Sequence, residues 1–375
     1  MSTGYLLGEM LKQGEEEGKE YCFGFVDIRK AYDRVDRDVL WERMEKAGYG
    51  GKMLNLIKGM YEDNRGRFRL GELRTRWMRR NRGLRQGCVL SPFLFAMYIG
   101  GVVNRLKEQG LGIRIGGEVI PILVFADDMV LCAENEEEMK KMMGIIHKEL
   151  AELGLEVNEK KSLIIRLGEK AKKGTVWELR TVRRKLMAIE EGEDYKYLGV
   201  YVSQLGKRGV QAVGKEVLHK AEKMVRVLLE ELKDSYDRTH EGKVLWERVA
   251  IPKILYGLEV ARLDPKILDG LEKLQVRMGR KVLGVGPLVA NEVVLWELGW
   301  LPIQGRIAMM KERFYSKLQW GGAKLSSAVF RERKDKGWAK DTQDFLKFYV
   351  EDAEAIGKCY FKEKCGQKLR KFGET

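Results

Sequence analysis

Long hydrophobic runs are missing from this sequence. No apolar stretch reaches the roughly 18 residues that a membrane-spanning helix needs, and residues 1–8 lack the basic-then-apolar pattern of a secretory signal. Histidine is scarce, with only 3 residues (His147, His219 and His240), none at a metal-ligand spacing. The 5 cysteines (Cys22, Cys88, Cys132, Cys359 and Cys365) are an odd, scattered set. That excludes a disulfide framework and points to a reducing intracellular compartment. Cys359 and Cys365 lie close together, but no histidine follows to complete a zinc site. There is no repeat period and no low-complexity segment.

Charge, by contrast, is abundant. In 375 residues, Lys and Arg number 70 against 56 Asp and Glu, a net +14, with 34% charged and 44% hydrophobic residues. A chain of this length folds as two or three domains. Such a surplus suits a polyanionic partner. Its distribution strengthens the case: Lys58 to Arg85 holds ten basic and three acidic residues, half of the whole surplus. There Phe68, Leu70, Leu73, Thr75 and Trp77 alternate with Arg67, Arg69, Arg74 and Arg76 around Gly71. This period of two predicts a hairpin with one face packed and one arginine face against phosphates, joined by Arg79, Arg80, Arg82 and Arg85.

Two other stretches place carboxylates at strand ends. Residues 21–26 form a buried-looking strand that ends at Asp27. Residues 119–124 and 129–132 are apolar and strand-like, and Phe125-Ala126-Asp127-Asp128 joins them as a hairpin turn. Two carboxylates about 4 Å apart repel by roughly 4 kcal/mol at an effective dielectric near 20. A divalent cation would offset that.

Helices are predicted around these strands. Asp36 caps a helix over 37–47, a second spans 52–61, and Ser91 as N-cap with Pro92 starts a third that ends near Gln109. Gly100-Gly101 within it implies close approach by another backbone. Glu136-Glu137-Glu138 opens a helix with a methionine stripe as core, the glutamates serving the helix dipole alone. Strands follow at 163–165 and 195–202, with a basic connector over 170–185. From about Gly206 helical patterns dominate, at 217–232, 243–256, 265–283, 292–298 and after Gly305. Three parts are therefore expected: 1–205, a helical domain over 206–320, and a charged, helical or loosely ordered tail over 321–375.

Taken in order, these motifs resemble the reverse transcriptase palm of non-LTR (LINE-type) retrotransposons. Phe25 to Asp33 is similar to the family's first carboxylate motif, and Leu84 to Pro92 to its template-side loop. Residues 125–128 resemble the catalytic double-aspartate box, Gly154 to Asn158 with Lys161-Ser162 the motif after it, and Tyr197-Leu198-Gly199 the strand that grips the primer end. Lys273-Leu274-Gln275 and Leu298 to Pro302 resemble the thumb region.

The resemblance implies an α+β fold: a right-hand polymerase palm, an antiparallel sheet with helices on one face, preceded by partial fingers and followed by a helical thumb. It implies RNA-directed DNA synthesis on an RNA template and DNA primer with deoxynucleoside triphosphates, and no membrane partner. Two Mg2+ or Mn2+ ions would be held by Asp27 and Asp127, with Asp128 in support. Tyr32 would act as steric gate against ribonucleotides. Gln86, Gly87 and Phe125 would line the nucleotide, Leu198 and Gly199 the primer, and Lys161 would neutralise the leaving pyrophosphate.

Phe125 stands where many relatives carry tyrosine, and only 26 residues precede Asp27. The sequence shows no endonuclease-like domain, cysteine–histidine knuckle or ribonuclease H acids. A truncated copy is the expectation, with a fusion or partner supplying fingers and endonuclease, and a catalytically crippled nucleic-acid-binding remnant as the alternative. Localisation would be nuclear if active and otherwise cytoplasmic.

Overall fold

The computed structural model describes residues 2–167, 176–180, 186–191, 194–197, 200–203, 206–261, 264–321 and 324–347. They fall into two compact units, one of residues 19–114 and 119–193, the other of residues 1–18, 115–118 and those from 194 onward.

The first unit is built on β1 (Cys22–Val26), whose five residues are all buried. A continuous apolar strand of this kind belongs at the centre of a sheet, covered on both faces. β1 pairs antiparallel with β9 (Asp128–Ala133) on one side and β10 (Leu163–Arg166) on the other, and β9 pairs with β8 (Ile122–Phe125). Beyond β10 lie β12 (Leu186–Glu191) and β11 (Val176–Arg180), giving the order β11-β12-β10-β1-β9-β8. The expected all-antiparallel sheet is thus mixed, because β12 runs parallel to β10. β11 stands within 170–185, which reads in the sequence as a basic connector, and β12 follows directly after it. Lys and Arg on both sides of 176–180 mask its short Val176-Trp177-Glu178-Leu179-Arg180 strand in the sequence, and β12 supplies its antiparallel partner.

Helices α5 (Ser91–Glu108) and α6 (Glu136–Glu152) contribute Leu94, Phe95, Tyr98, Met139, Met142 and Ile146 to one core with Val26, Leu131 and Ile164 of the sheet. Gly24 allows this contact, since a Cβ there would lie 3.0 Å from Met139 Sδ. α2 (Ala31–Arg34), α3 (Arg37–Lys46) and α4 (Gly51–Glu62) follow β1, and α3 packs on α5. Asp36 caps α3 as expected, accepting from Asp38 N–H at 3.1 Å.

Other local expectations change. Ser91 is the first helical residue and no cap; its hydroxyl donates to Arg85 O at 2.6 Å, which closes the loop before α5. What approaches Gly101 is the Arg43 guanidinium, which also donates to Tyr98 O, and not another backbone. Glu138 does more than serve the α6 dipole: Asn135 caps the helix, while Glu138 accepts from the N–H groups of Gly112 and Glu134, each at 2.6 Å. That is a capping box in which the N3 glutamate reaches back past the cap.

Residues 64–80 form a hairpin of β2 (Arg65–Gly66) with β5 (Met78–Arg79) and β3 (Arg69–Leu70) with β4 (Leu73–Arg74). β6 (Ile113–Ile115) and β7 (Glu118–Ile120) lead into β8.

The second unit contains α1 (Ser2–Glu17), β13 (Asp194–Tyr197) and β14 (Val200–Ser203), with a helical series after them. Residues 195–202, expected as one strand, are two strands paired antiparallel. The series is α7 (Gly206–Glu231), α8 (Arg238–Leu245), a π turn (Trp246–Ala250), α9 (Ile251–Leu255) and α10 (Pro265–Leu283). α11 (Asn291–Leu298), α12 (Ile303–Trp320), α13 (Lys324–Glu332) and α14 (Gly337–Lys347) complete it. The π turn precedes Pro252, whose missing N–H and bulky ring disfavour regular helix there. Gln275 is fully buried, accepting from Trp246 Nε1 and donating to Leu301 O, both at 3.1 Å. Glu9 of α1, 1% exposed, accepts from Arg333 Nε and from Trp338 N–H at 2.6 Å each.

No helix among the described residues is long and apolar enough to cross a membrane.

Candidate active site

The register of β1 against β9 assembles the carboxylates. Val26 pairs with Met129 and Phe25 with Val130, so the next residues outward, Asp27 and Asp128, leave the sheet side by side. Phe125 pairs with Asp128, which leaves Ala126-Asp127 as a two-residue turn. Ala126 has φ 56°, a left-handed conformation that costs a residue with a Cβ about 1–2 kcal/mol. The turn therefore holds strain where Asp127 projects. All three aspartates are half-buried. Burial first, and then the charges of Asp127 and Asp27, raise the Asp128 pKa above the ordinary aspartate value.

Among the described residues, no three carboxylate, cysteine or histidine groups are drawn together into a ready metal cage. The three aspartates share one corner of the sheet, open on one side. That donor set fits a hard divalent cation whose remaining positions are taken by water and phosphate oxygens.

Asp27 is held by residues that sequence reasoning left out of the site. Asn158 Nδ2 donates to Asp27 Oδ2 at 2.9 Å, and Asp27 N–H donates to Ser162 Oγ at 3.2 Å. Asn158 N–H also donates to Asp27 O at 2.8 Å, and Ser162 Oγ donates to Asn158 O at 2.9 Å. Both Asn158 and Ser162 lie in the motif at 154–162, in which the family resemblance gives a chemical role to the lysine alone. Lys161 itself is exposed in the same turn, its N–H donating to Asn158 O at 3.1 Å.

Tyr32 lies near the carboxylates: burial, then Asp127 and Asp128, raise its pKa. Its ring stacks on Phe95 of α5 with centroids 5.1 Å apart and planes at 30°. Phe95 is fully buried, so the ring has a fixed backing. Behind Tyr32 runs the loop from Gly83. Leu84 N–H donates to Tyr32 O at 2.7 Å and Gly83 N–H to Val35 O at 2.9 Å. Gly83 has φ 85°, and a Cβ there would meet Asp33 O at 2.8 Å and Tyr32 O at 3.0 Å. Arg37, buried, donates to the carbonyls of Tyr61, Arg82 and Gly83 and locks this junction. Further along the loop Gln86 and Gly87 are exposed, with open space around Gly87. Phe125 is 52% exposed beside Asp128.

The arginine hairpin differs from expectation on one face. Phe68, Leu70, Leu73 and Trp77 are 59–79% exposed, so the apolar side chains expected to pack do not. Several arginines are already engaged. Arg80 pairs with Asp33 at 2.8 Å and Arg82 with Asp36 at 3.3 Å, Arg85 donates to Met60 O and Arg79 to Glu62 O. Arg69 donates to Gly71 O, and Arg67 stacks over Trp77 at 4.7 Å. The side chains of Arg74 and Arg76 carry no ion pair or hydrogen bond among the described residues. Leu198 and Gly199 lie outside the described residues.

A sheet whose central strand and neighbouring hairpin present three aspartates, backed by two helices and with an aromatic ring nearby, has the architecture of a right-hand polymerase palm. Residues 2–202 match the family described as "Reverse transcriptase (RNA-dependent DNA polymerase)", and the chain belongs to that family. It is 31% identical over 206 residues to the Pol polyprotein of the type-1 retrotransposable element R2 of Nasonia vitripennis, which covers 54% of this chain and 20% of that protein. An R2 polyprotein of Popillia japonica is 28% identical over 72% of this chain and 37% of its own length. The RNA-directed DNA polymerase from mobile element jockey of Drosophila funebris is 23% identical over 80% and 33%. The chain thus spans a fifth to just over a third of these relatives. Among solved structures, apo telomerase from Candida tropicalis superposes with a TM-score of 0.43 and 11% identity, covering 96% of this chain and 55% of that one.

Proposed function

We propose that this chain catalyses template-directed nucleotidyl transfer, RNA-directed DNA synthesis, as part of a non-LTR retrotransposon. The register that brings Asp27 beside Asp128, with Asp127 in the adjoining turn, carries the reading. Asp27 and Asp127 would hold two Mg2+ or Mn2+ ions, with Asp128 in support. When bound there, such ions would supply activation of the primer 3′-hydroxyl and neutralisation of the charge on the leaving pyrophosphate.

The chain's own residues do the positioning. Asn158 and Ser162 hold Asp27 in one orientation. Tyr32, backed by Phe95, presents a ring against which a 2′-hydroxyl would clash, which favours deoxynucleotides. Gln86 and Gly87 lie in the loop rooted on Tyr32 and take the template side, and Phe125 offers an exposed ring for stacking at the primer end. Lys161 takes the pyrophosphate, and Leu198 and Gly199 the primer. The hairpin arginines take backbone phosphates, the interaction that dominates nucleic-acid affinity.

Primer extension on an RNA template with magnesium and deoxynucleotides tests this. Extension by the wild type and none after Asp127→Asn supports it; equal product from both ends it. The exposed arginine hairpin, which needs no metal to hold phosphates, fits a second reading as well, a remnant that binds nucleic acid without turnover. Salt-dependent RNA binding without extension would support that one.

A further inference from the structure

The hairpin over 64–80 is more than a basic surface. By the two-residue period of strands, Arg65, Arg67 and Arg69 share one face, with Arg74, Arg76 and Arg79 across from them. Arg69 pairs directly with Arg74, and Arg65 with Arg79. Like charges placed opposite one another destabilise a strand pair; Asp63 offsets Arg65 at 2.6 Å, but the facing Arg69 and Arg74 make no ion pair among the described residues. An anionic ligand relieves this repulsion.

The aromatic residues sit at defined points of the same ladder. Phe68 pairs with Thr75, whose N–H donates to Phe68 O at 3.0 Å and whose Oγ1 accepts from Phe68 N–H at 2.9 Å. Between that pair and Gly66↔Met78 the second strand has one residue more than the first, a bulge that places Trp77 under Arg67. Phe68 is 73% and Trp77 59% exposed. Among the described residues neither ring is buried in a core, and Arg67 covers only one face of Trp77.

We propose that this hairpin is a stacking platform for single-stranded nucleic acid: bases stack on Phe68 and on the open face of Trp77, while the arginine face takes the phosphates. A duplex buries its bases in its own stack, so aromatic faces of this kind discriminate for unpaired strands and do so without regard to sequence. The hairpin is tied to the residue after Tyr32 through Arg80, which donates to Asp33 Oδ1 at 2.8 Å. It therefore grips the strand next to the nucleotide site. The assignment rests on the polymerase reading for its place in the reaction, but not for its binding chemistry.

The test is binding by the full chain of a short fluorescent oligoribonucleotide, single-stranded or annealed to its complement, with chelator present and no nucleotides. The single strand is expected to bind more tightly. Phe68→Ala and Trp77→Ala each weaken its binding about 5- to 150-fold and leave the salt dependence unchanged, whereas Phe68→Tyr restores it. Arg74→Ala with Arg76→Ala lowers the slope of log affinity against log salt by about 0.7 per lost contact. Equal affinity for the duplex, or alanine variants of Phe68 and Trp77 that bind as the wild type does, would overturn the platform. Extension failing while this pattern holds defeats the polymerase reading alone; extension succeeding while the aromatic dependence is missing defeats the platform alone.

Discussion

Asn158 donates its side-chain amide to Asp27 Oδ2 at 2.9 Å across 131 residues of chain. The bond joins the turn after α6 to the end of β1, and it leaves the second carboxylate oxygen of Asp27 free of that partner. Ligand carboxylates in metal sites are commonly oriented this way, and loss of such a support costs about 10- to 100-fold in metal affinity or activity. Asn158→Ala is expected to lower extension by that factor and to raise the magnesium concentration for half-maximal rate. A drop in rate with no change in the magnesium dependence would show that Asn158 does not act through Asp27.

Asp128 makes a pH-dependent contribution of known sign. Its pKa is raised by burial and then by Asp127 and Asp27, so the folded chain keeps a proton that the unfolded chain has released. Stability therefore falls as pH rises from the ordinary aspartate value through the raised one, and the deficit is complete above it. Asp128→Asn removes the deficit. Because the group is only half-buried the gain is modest, about 1–3 °C in Tm at neutral pH, shrinking to nothing below about pH 4. Melting curves at both pH values, with and without magnesium, check it; magnesium is expected to raise the wild-type Tm more than the variant's.

Tyr32 and Phe95 form one device. Tyr32→Val removes the ring and is expected to relax discrimination against ribonucleotides by about tenfold or more. Phe95→Leu removes only the backing ring, stacked at 5.1 Å, and gives a smaller relaxation in the same direction. The ratio of kcat/KM for deoxy- and ribonucleotides measures both. Unchanged ratios would take the gate away from Tyr32.

Gly83 has no room for a side chain. Gly83→Ala forces a left-handed alanine and a Cβ 2.8 Å from Asp33 O, at a cost of about 2 kcal/mol or more. Denaturant unfolding reads the loss of stability. Because Leu84 and Tyr32 share a backbone hydrogen bond, the nucleotide KM is expected to rise with it.

Much of the palm was legible because its signals are local. β1 is an uninterrupted apolar strand ending in Asp27, the double-aspartate turn is flanked by strand-forming residues on both sides, and Asp36 caps the helix it precedes. What sequence could not supply depends on partners distant in the chain. Asn158 and Ser162 look like ordinary turn residues until β1 arrives between β9 and β10. Strand β11 looks like connector until the sheet edge gives it hydrogen bonds. Ser91 resembles an N-cap, yet its hydroxyl finds the carbonyl of Arg85 first. The apolar residues of the arginine hairpin imply a buried face by periodicity, and periodicity does not say whether anything covers it.

The pairing of Glu9 with Arg333 spans 324 residues. On the ribosome, α1 emerges with an acidic group destined for burial long before its guanidinium partner exists. A carboxylate buried without that partner is strongly unfavourable, so this helix waits undocked while most of the polypeptide is translated. Contacts of such sequence separation form late. A nascent chain arrested short of residue 333 would display the Tyr5, Leu6 and Met10 surface of α1, which is the kind of sticky intermediate that chaperones retain.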